Sequence, residues 1–464
     1  MLESLRLVNF KSWKDTGDIQ LAPITAFFGT NSSGKTSLLQ ALLLLKQTIA
    51  SSNSNITLDF GQQDALFVEL GSFKETIFNH DETLPLEFNL SWKLLNEHYI
   101  IPLDFRSGKN LFTNNKIGFK TQIKKNNGDK PAVEFFSYEF DSTNFALKKD
   151  HIDKLFYKLN IDDHDLNFIP LTPETNTQYV LPIKFYGYPS YINFVSEYTD
   201  FVDIRLLGAL PFKLEELFSR INYLGPLRDY PKRQYYWTND SQSLDVGTKG
   251  ERAIQTILSS NNFEAKDSLS EKVAYWLKEL GLIHSFEIKS LSAGSNIYQV
   301  HVKISEKSSE VLLTDVGFGV SQIIPVITLC YCVPEGSILL IEQPEIHLHP
   351  KIQAGLADVF IDAIKTRGIQ IILESHSEHL LRRLQRRMAE FGLNDSSVDK
   401  EKINLYFCES KDGASEIKNL ILDDYGNITN YPKNFFGDDF GEMAAMAKAR
   451  IERIKKSKQM SDNL

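Results

Sequence analysis

The sequence predicts an α/β protein with a mainly parallel sheet and a polar site at the carboxyl ends of its strands. Three observations support this fold class. The chain opens with a strand, a glycine-rich loop and a helix. Two short apolar runs, Ile338 to Ile341 and Ile369 to Leu373, flank an amphipathic segment from Ile352 to Lys365, and both runs end in polar residues. Because the carboxyl ends of parallel strands share one edge of a sheet, we expect these polar residues to lie together.

Hydrophobic periodicity predicts the other elements. In chain order they are strands 5–10 and 24–28, helix 35–47, helices 250–258 and 267–280, strand 298–304, and a helix at 444–458 with a frayed end. Between residues 84 and 203, alternating patches such as Leu86 to Trp92 and polar turns such as Asn127-Gly128-Asp129 indicate strands with one solvated face. No heptad pattern persists over several turns, so no long coiled coil is predicted.

These changes of pattern divide the chain into four parts. We expect residues 1–83 to form the N-terminal part of the α/β domain and residues 84–205 to form a strand-rich accessory insertion. Residues 206–395 are expected to complete the domain, and residues 396–464 to form a short C-terminal extension that could bind a partner.

Composition narrows the class of protein. Of the 464 residues, 42% are hydrophobic and 24% are charged, which excludes a wholly disordered, collagen-like or disulfide-framework chain. The net charge of −9 argues against a polycation that coats nucleic acid. The longest apolar runs fall far below the roughly 18 to 20 residues that span a bilayer. With only three cysteines and no secretion signal at the start, we expect a cytoplasmic protein without a membrane anchor.

Residues 29–36 read Gly-Thr-Asn-Ser-Ser-Gly-Lys-Thr and fit the phosphate-loop pattern G-x-x-x-x-G-K-[ST] between a strand and a helix. Such a loop wraps backbone N–H groups around a phosphate at a helix N-terminus. Lys35 is expected at the β- and γ-phosphate oxygens and Thr36 at Mg²⁺. The predicted nucleotide-binding residues are Asn31, Ser32, Ser33, Gly34, Lys35, Thr36 and Ser37.

Further motifs resemble those of the ABC-type ATPases of the RecF, SMC and OLD group. The apolar run that ends at Glu342 resembles Walker B, the segment Asp315 to Gln322 resembles the signature, and His376 resembles the switch histidine. Asn9 to Ser12, Tyr223 to Arg228 and Gly247 to Glu251 are also similar, so the resemblance covers about residues 1–50 and 220–380.

The resemblance implies an ABC-type P-loop ATPase head and roles for individual residues. Glu342 would hold Mg²⁺ together with Thr36, and His376 would sense the γ-phosphate. The signature residues Gly319, Ser321 and Gln322 would contact ATP bound to a second protomer, so that ATP joins a head-to-head dimer or a higher homo-oligomer.

One residue departs from the family pattern. Gln343 occupies the place of the glutamate that activates water, and a neutral amide orients water but cannot accept its proton. Glu345 would substitute if the loop were shifted. We therefore expect slow hydrolysis, with ATP acting mainly as a conformational ligand.

Other interpretations stay open. His347, His349, His376 and His379, with Glu345 and Glu374, have spacing compatible with a metal-dependent hydrolase. The arginines at 382, 383, 386 and 387 and the basic residues at 453–458 could follow DNA phosphates, or they could pair with neighbouring acids. Glu409 and the acids at 438 and 439 superficially resemble a nuclease module, but too few residues follow Glu409 to build one.

Stand-alone members of this group resemble the ATPases of bacterial antiphage systems such as Septu, in which a separate HNH nuclease is the effector. The resemblance therefore implies an oligomeric, ATP-gated sensor and scaffold that binds Mg²⁺ and regulates a nuclease subunit, with DNA left open as a partner. The alternative is a RecF-like DNA-binding ATPase of DNA maintenance.

Overall fold

In the computed structural model, the residues that are described are 1–53, 56–61, 65–94, 115–126, 128–140, 143–149, 157–161, 164–165, 184–187, 204–238, 245–260, 268–432, 435 and 445–451. The strands are β1 (Leu2–Phe10), β2 (Trp13–Asp15), β3 (Ile19–Gln20), β4 (Ile24–Gly29), β5 (Leu86–Lys93), β6 (Lys116–Lys125), β7 (Pro131–Phe140), β8 (Thr143–Lys149), β9 (Tyr157–Ile161), β10 (His164–Asp165), β11 (Ile221–Leu224), β12 (Tyr235–Tyr236), β13 (Ser285–Ser290), β14 (Ile297–Lys303), β15 (Val311–Leu312), β16 (Ile338–Glu342), β17 (Gln370–Glu374), β18 (Ile403–Lys411) and β19 (Ala414–Asn419). The helices are α1 (Lys35–Ala50), α2 (Phe73–Thr76), α3 (Ile204–Ser219), α4 (Ala253–Ser260), α5 (Leu269–Glu279), α6 (Phe318–Cys332), α7 (Pro350–Arg367) and α8 (Glu378–Ala389), with 3-10 turns at Phe78–His80, Leu313–Asp315 and Lys400–Lys402.

The central sheet has the order β11-β16-β17-β4-β18-β19. Its first five strands are parallel, and β19 returns antiparallel to β18. Strand residues alternate between two cores: Leu339 and Ile341 of β16 join one hydrophobic cluster, and Ile338 and Leu340 join the other. The sheet is therefore covered on both faces, which explains why its strands read as continuous apolar runs.

A larger antiparallel sheet covers one side of the domain, in the order β10-β9-β8-β7-β6-β5-β1-β2, with β3 beside β1. Strand β5 pairs with β1, so the strands of the insertion continue the sheet that the N-terminus begins. Helix α1 lies in the cluster between the two sheets, and its run Leu42 to Leu45 is fully buried. A helical turn that is apolar on all sides, such as this run of leucines, is expected in such a position.

A third sheet, β12-β14-β13 with β15 beside β14, packs with α4, α5 and α6 on the opposite face of the central sheet. Helix α6 begins within the predicted signature, and 13 of its 15 residues are buried. Its N-terminus is therefore held rigidly against the body of the domain.

The predicted α/β class is confirmed, and the predicted elements appear with small shifts at their ends. The longest helix among the described residues, α7, has 18 residues, far shorter than a long coiled coil. The predicted C-terminal helix is present at 445–451, and its remainder lies outside the described residues. Residue 127 of the predicted turn 127–129 lies outside the described residues, and so do the acids at 438 and 439.

The C-terminal segment contributes directly to the central sheet. Strand β18 pairs in parallel with the whole length of β4, from Ile403 opposite Ile24 to Cys408 opposite Gly29. The segment that was expected to form a short C-terminal extension thus places a strand beside the phosphate-loop strand. All three cysteines are buried, as small apolar residues would be. In the part of the chain that the structure describes, no helix is both long enough and apolar enough to cross a membrane.

Candidate functional site

The loop between β4 and α1 has the backbone conformation of an anion-binding turn. Gly29, Ser32 and Gly34 have φ angles of 142°, 58° and 87°. Gly34 precedes the first residue of α1, and no side chain caps the helix there. The Ser37 N–H donates to the Gly34 carbonyl at 3.1 Å, and the absence of a side-chain cap leaves the helix N-terminus open to an anion.

Lys35 folds back over this loop. Its Nζ donates to the carbonyl oxygens of Gly29 at 3.2 Å and Thr30 at 2.6 Å, and to Ser33 Oγ at 3.4 Å. Burial lowers the pKa of Lys35, and the charge of Glu374 opposes that shift. The ammonium group is thus held inside the loop, where a phosphate can replace its neutral acceptors.

The back of the loop is supported by two distant segments. Trp13 Nε1 donates to the carbonyl oxygen of Gly34 at 3.1 Å, and the hydroxyls of Ser12 and Ser415 are 2.7 Å apart. A Cβ at Gly34 would lie 2.6 Å from Ser415 Oγ, so this position needs glycine for space as well as for its positive φ. No motif in the sequence points to Ser415, on β19, as part of the site.

Thr36, the predicted Mg²⁺ ligand, contacts Glu374 instead of Glu342. Its Oγ1 donates to Glu374 Oε2 at 2.7 Å. Gln343 also approaches Glu374, because its backbone N–H donates to the Glu374 carbonyl at 2.9 Å and its side-chain amide to the carboxylate. The sequence analysis placed Glu374 among the polar residues that end the second apolar run and gave it a specific role only in the hydrolase alternative. Its place at a strand end, two residues before His376, was the available signal.

Glu342 lies in register with Glu374 on the adjacent strand. Its Oε1 accepts a hydrogen bond from the Tyr223 hydroxyl at 2.8 Å. Burial, together with the charge of Glu374, raises the pKa of Glu342 to about 7. The two carboxyl groups are therefore close enough to repel each other when both are ionised.

Arg228 holds the chain that follows β16. Its guanidinium donates to the carbonyl oxygens of Glu342 at 2.9 Å, Gln343 at 3.3 Å and Pro226 at 3.0 Å. The residue is 6% exposed, and burial lowers its pKa to about 10. These bonds support Gln343 in its left-handed conformation, with a φ of 44°.

We expect Arg228→Ala to lower the free energy of unfolding by about 2–4 kcal/mol, because three carbonyl acceptors lose a charged donor. Chemical denaturation measures this loss. Arg233→Ala removes an arginine whose side chain is 68% exposed and paired with Asp315, and we expect it to change stability by less than about 0.5 kcal/mol. Equal losses in the two variants would contradict the structural role of Arg228.

His376 faces the phosphate loop. Its ring lies near the Gly29 backbone, which favours the charged form, but burial together with nearby Lys35 lowers its pKa. Its backbone N–H donates to Glu345 Oε1 at 2.6 Å. Glu345 is buried, its pKa is raised by burial, and its Oε2 has no hydrogen-bond partner among the described residues. In this conformation Glu345 supports the His376 loop.

The signature residues form a separate face at the N-terminus of α6. Ser321 is 7% exposed and its Oγ donates to the Phe318 carbonyl at 2.8 Å, while Gln322 is buried. A Cβ at Gly319 would lie 3.2 Å from the carbonyl oxygen of His347. The Phe318 ring packs between Tyr230 and His347, with centroid distances of 5.1 Å on both sides. The signature thus packs against the loop that follows β16.

The histidines of the hydrolase alternative are engaged in different contacts. His347 packs against Phe318, His349 Nδ1 accepts from the Lys351 N–H at 3.3 Å, and the His376 backbone N–H donates to Glu345 at 2.6 Å. Within the described ranges, no three His, Cys, Asp or Glu side chains are grouped as metal ligands.

The arginine cluster on α8 is paired with acids. Arg383 and Arg387 contact Asp358 at 2.6 Å and 2.7 Å, and Arg386 contacts Glu390 at 2.6 Å. Arg382 pairs with Glu378 at 3.2 Å. These pairs agree with the interpretation of a solvated, salt-bridged face. The basic residues at 453–458 lie outside the described residues.

Two family models match the chain. A family model described as an AAA ATPase domain matches residues 1–381, and one described as a protein of unknown function (DUF3696) matches residues 398–446. A search of curated proteins gives no match.

Among solved structures, the chain is similar to an Smc head bound to the C-winged helix domain of ScpA (13% identity, 91% of this chain and 98% of that chain covered, TM-score 0.44). It is also similar to the SMC head domain from Thermotoga maritima (9% identity, 90% of this chain and 99% of that chain covered, TM-score 0.41). A third similar structure is an Smc head with an extended coiled coil bound to the C-terminal domain of ScpA, derived from Pyrococcus furiosus (12% identity, 91% of this chain and 96% of that chain covered, TM-score 0.42). Because the ATPase family model spans most of its length, this chain belongs to the AAA ATPase domain family.

Proposed function

We propose that the protein is an ATP-gated ABC-type ATPase that assembles head to head and regulates a separate nuclease, of the HNH type, in antiphage defence. The observation that carries the nucleotide part of this proposal is the convergence of Lys35, Thr36, Glu374 and His376 at one edge of the parallel sheet. Ligands bind at this edge in α/β proteins.

The residues present fit a triphosphate and a divalent cation. Uncapped N–H groups of α1 and the ammonium group of Lys35 supply donors for phosphate oxygens. Thr36 and the buried carboxyl groups supply the oxygen ligands that Mg²⁺ prefers. When bound, Mg²⁺ would neutralise negative charge on the phosphate oxygens.

Lys35 and His376 give the site a way to respond to ATP. In the present conformation Lys35 donates to the Gly29 carbonyl at 3.2 Å, and the His376 ring lies near the Gly29 backbone. A phosphate in the loop competes for Lys35, because a charged acceptor forms a stronger bond than a carbonyl does. A movement of His376 would in turn affect Glu345, because the His376 backbone N–H donates to the Glu345 carboxylate.

The N-terminus of α6, which carries the signature, supports the proposed contact with a second protomer. Ser321 is bonded within its own helix, and the N-terminus of α6 has no side-chain cap. Its N–H groups favour an anion supplied from outside. ATP on one protomer would then be completed by α6 of another, which is the basis for the proposed dimer.

Slow hydrolysis suits a regulatory role. Gln343 lies where a catalytic glutamate is expected, and its side chain bonds to Glu374. A ligand that is cleaved slowly holds its conformational state for longer. This supports an ATP-gated scaffold over a rapid motor.

The experiment is to express the chain together with its neighbouring genes, to purify the native complex with and without ATP, and to measure its mass and nuclease activity in the same fractions. We expect a nuclease to co-purify and its activity to change with ATP. A protein that purifies alone and binds DNA only with ATP, with a steep salt dependence, would favour the RecF-like alternative.

A further inference from the structure

We propose that Ser415, in the hairpin formed by β18 and β19, is a positioning residue that raises the affinity of the phosphate loop for ATP; this inference rests on the proposed function. These two strands, residues 403–419, are called the C-terminal hairpin. The family model of the ATPase domain ends at residue 381, and the hairpin lies within the match to the model of unknown function. Its contacts nevertheless make it part of the nucleotide site.

The C-terminal hairpin meets the start of the phosphate loop through β18. Cys408 is the partner of Gly29 in the register of β18 and β4. A Cβ at Gly29 would overlap the carbonyl oxygen of Cys408. The backbone of β18 therefore packs directly against the residue at which β4 ends and the loop begins.

The hairpin meets the other end of the loop through β19. Ser415 is 5% exposed, and its backbone N–H donates to the Ser12 carbonyl at 2.8 Å. Its Oγ donates to Ser12 Oγ at 2.7 Å. A Cβ at Gly34 would lie within 3 Å of both hydroxyl oxygens. The two serines thus form one hydrogen-bonded unit, and Gly34 packs against it immediately before α1 begins.

This support matters because the loop has a strained backbone. Ser32 has a φ of 58°, which residues other than glycine rarely adopt. Such strain persists where the surrounding structure holds the chain in place. A phosphate also binds more tightly when the N–H groups around it are ordered before it arrives, because ordering them during binding costs affinity. Loss of the contact behind Gly34 would therefore weaken ATP binding, although Ser415 itself does not touch the nucleotide.

A coupling between the hairpin and the nucleotide acts in both directions. If Ser415 favours the conformation that binds ATP, then bound ATP favours the docked hairpin. Strand β19 is the last strand in the order of the central sheet, and its backbone bonds to β18 and, at Ser415, to Ser12. We therefore expect bound nucleotide to slow amide hydrogen exchange in residues 414–419.

The test compares Ser415→Ala with Thr48→Val, which removes another buried hydroxyl. Thr48 is 0% exposed, and its Oγ1 donates to the Leu44 carbonyl at 2.8 Å and accepts from the Asp59 N–H at 2.8 Å. It lies on α1, thirteen residues after Lys35, which corresponds to about 20 Å. Thr48→Val therefore reports the effect of a lost internal hydrogen bond that is remote from the loop.

Equilibrium titration with a fluorescent, non-hydrolysable ATP analogue measures affinity. We expect Ser415→Ala to weaken binding by about three- to tenfold and Thr48→Val to leave it unchanged. At saturating analogue, hydrogen exchange of residues 414–419 should slow in wild type and in Thr48→Val, and should slow less in Ser415→Ala. A serine with only a structural role would change neither the affinity nor this response to the nucleotide.

The outcomes separate this inference from the proposed function. Wild-type protein that does not bind the analogue overturns both. Wild-type binding with an unchanged affinity in Ser415→Ala, or with equal weakening in Ser415→Ala and Thr48→Val, overturns the role of Ser415 alone. Should Ser415→Ala not fold, Ser12→Ala removes the same hydroxyl bond from the other side, and an affinity equal to that of wild type would then overturn the inference.

Discussion

Lys35→Ala is expected to weaken ATP binding by about 10²- to 10³-fold, equivalent to about 3–4 kcal/mol. The ammonium group is buried in the loop beside Gly29 and Thr30, where a phosphate gains a charge-assisted bond that no neighbouring side chain replaces. Equilibrium binding of a fluorescent ATP analogue measures the loss. In the native complex, the same variant should abolish any effect of ATP on the co-purified nuclease.

Lys46→Ala is the matched control. Lys46 lies on the same helix, its pKa is also lowered by burial, and its Nζ donates to the Phe218 carbonyl at 2.9 Å. Eleven residues along a helix correspond to about 16 Å, so Lys46 is remote from the loop. We expect this variant to bind ATP like wild type. Comparable weakening in both variants would show a general loss of structure and would remove the evidence for a phosphate contact.

Gln343→Glu is expected to raise ATP turnover by about 10²-fold or more, within the range that general-base catalysis supplies. The substitution restores a proton acceptor at the position where the family pattern has one. It also adds a third carboxyl group beside Glu342 and Glu374, so stability without Mg²⁺ should fall. Steady-state phosphate release at saturating Mg²⁺ and ATP measures the gain.

Gln343→Ala separates the possible roles of the amide. If hydrolysis is slow because Gln343 only orients water, alanine should lower an already small rate and leave ATP affinity nearly unchanged. Rapid turnover in wild type that is abolished by Gln343→Ala would show that the amide is sufficient for catalysis, contrary to our hypothesis.

Much of the fold could be predicted because its signals are local. The strand at 24–28, the glycine-rich loop and the helix at 35–47 are adjacent in sequence, and the structure has β4, the loop and α1 in the same order. Buried parallel strands such as β16 and β17 are apolar on both faces, which makes them visible as short continuous runs.

The contacts across the site could not be predicted, since they depend on which strands are neighbours. Glu374 meets Thr36 over 338 residues of sequence, and Arg228 reaches Gln343 over 115. Ser415 supports the phosphate loop only because β18 joins the sheet beside β4 and β19 returns along it. The hydrophobic periodicity of the sequence does not indicate the order of the strands in the sheet.

By itself, the sequence therefore determined the α/β class, the phosphate loop and the two acidic strand ends, because each depends on residues close together in the chain. Only the tertiary structure decided that β17 separates β16 from β4 and so places Glu374, and not Glu342, against Thr36. It also decided that the arginines of α8 are paired with acids from α7 and from its own end. The physical reason is the same in both cases: charge and hydrogen bonding act between neighbours in space, and strand order sets those neighbours.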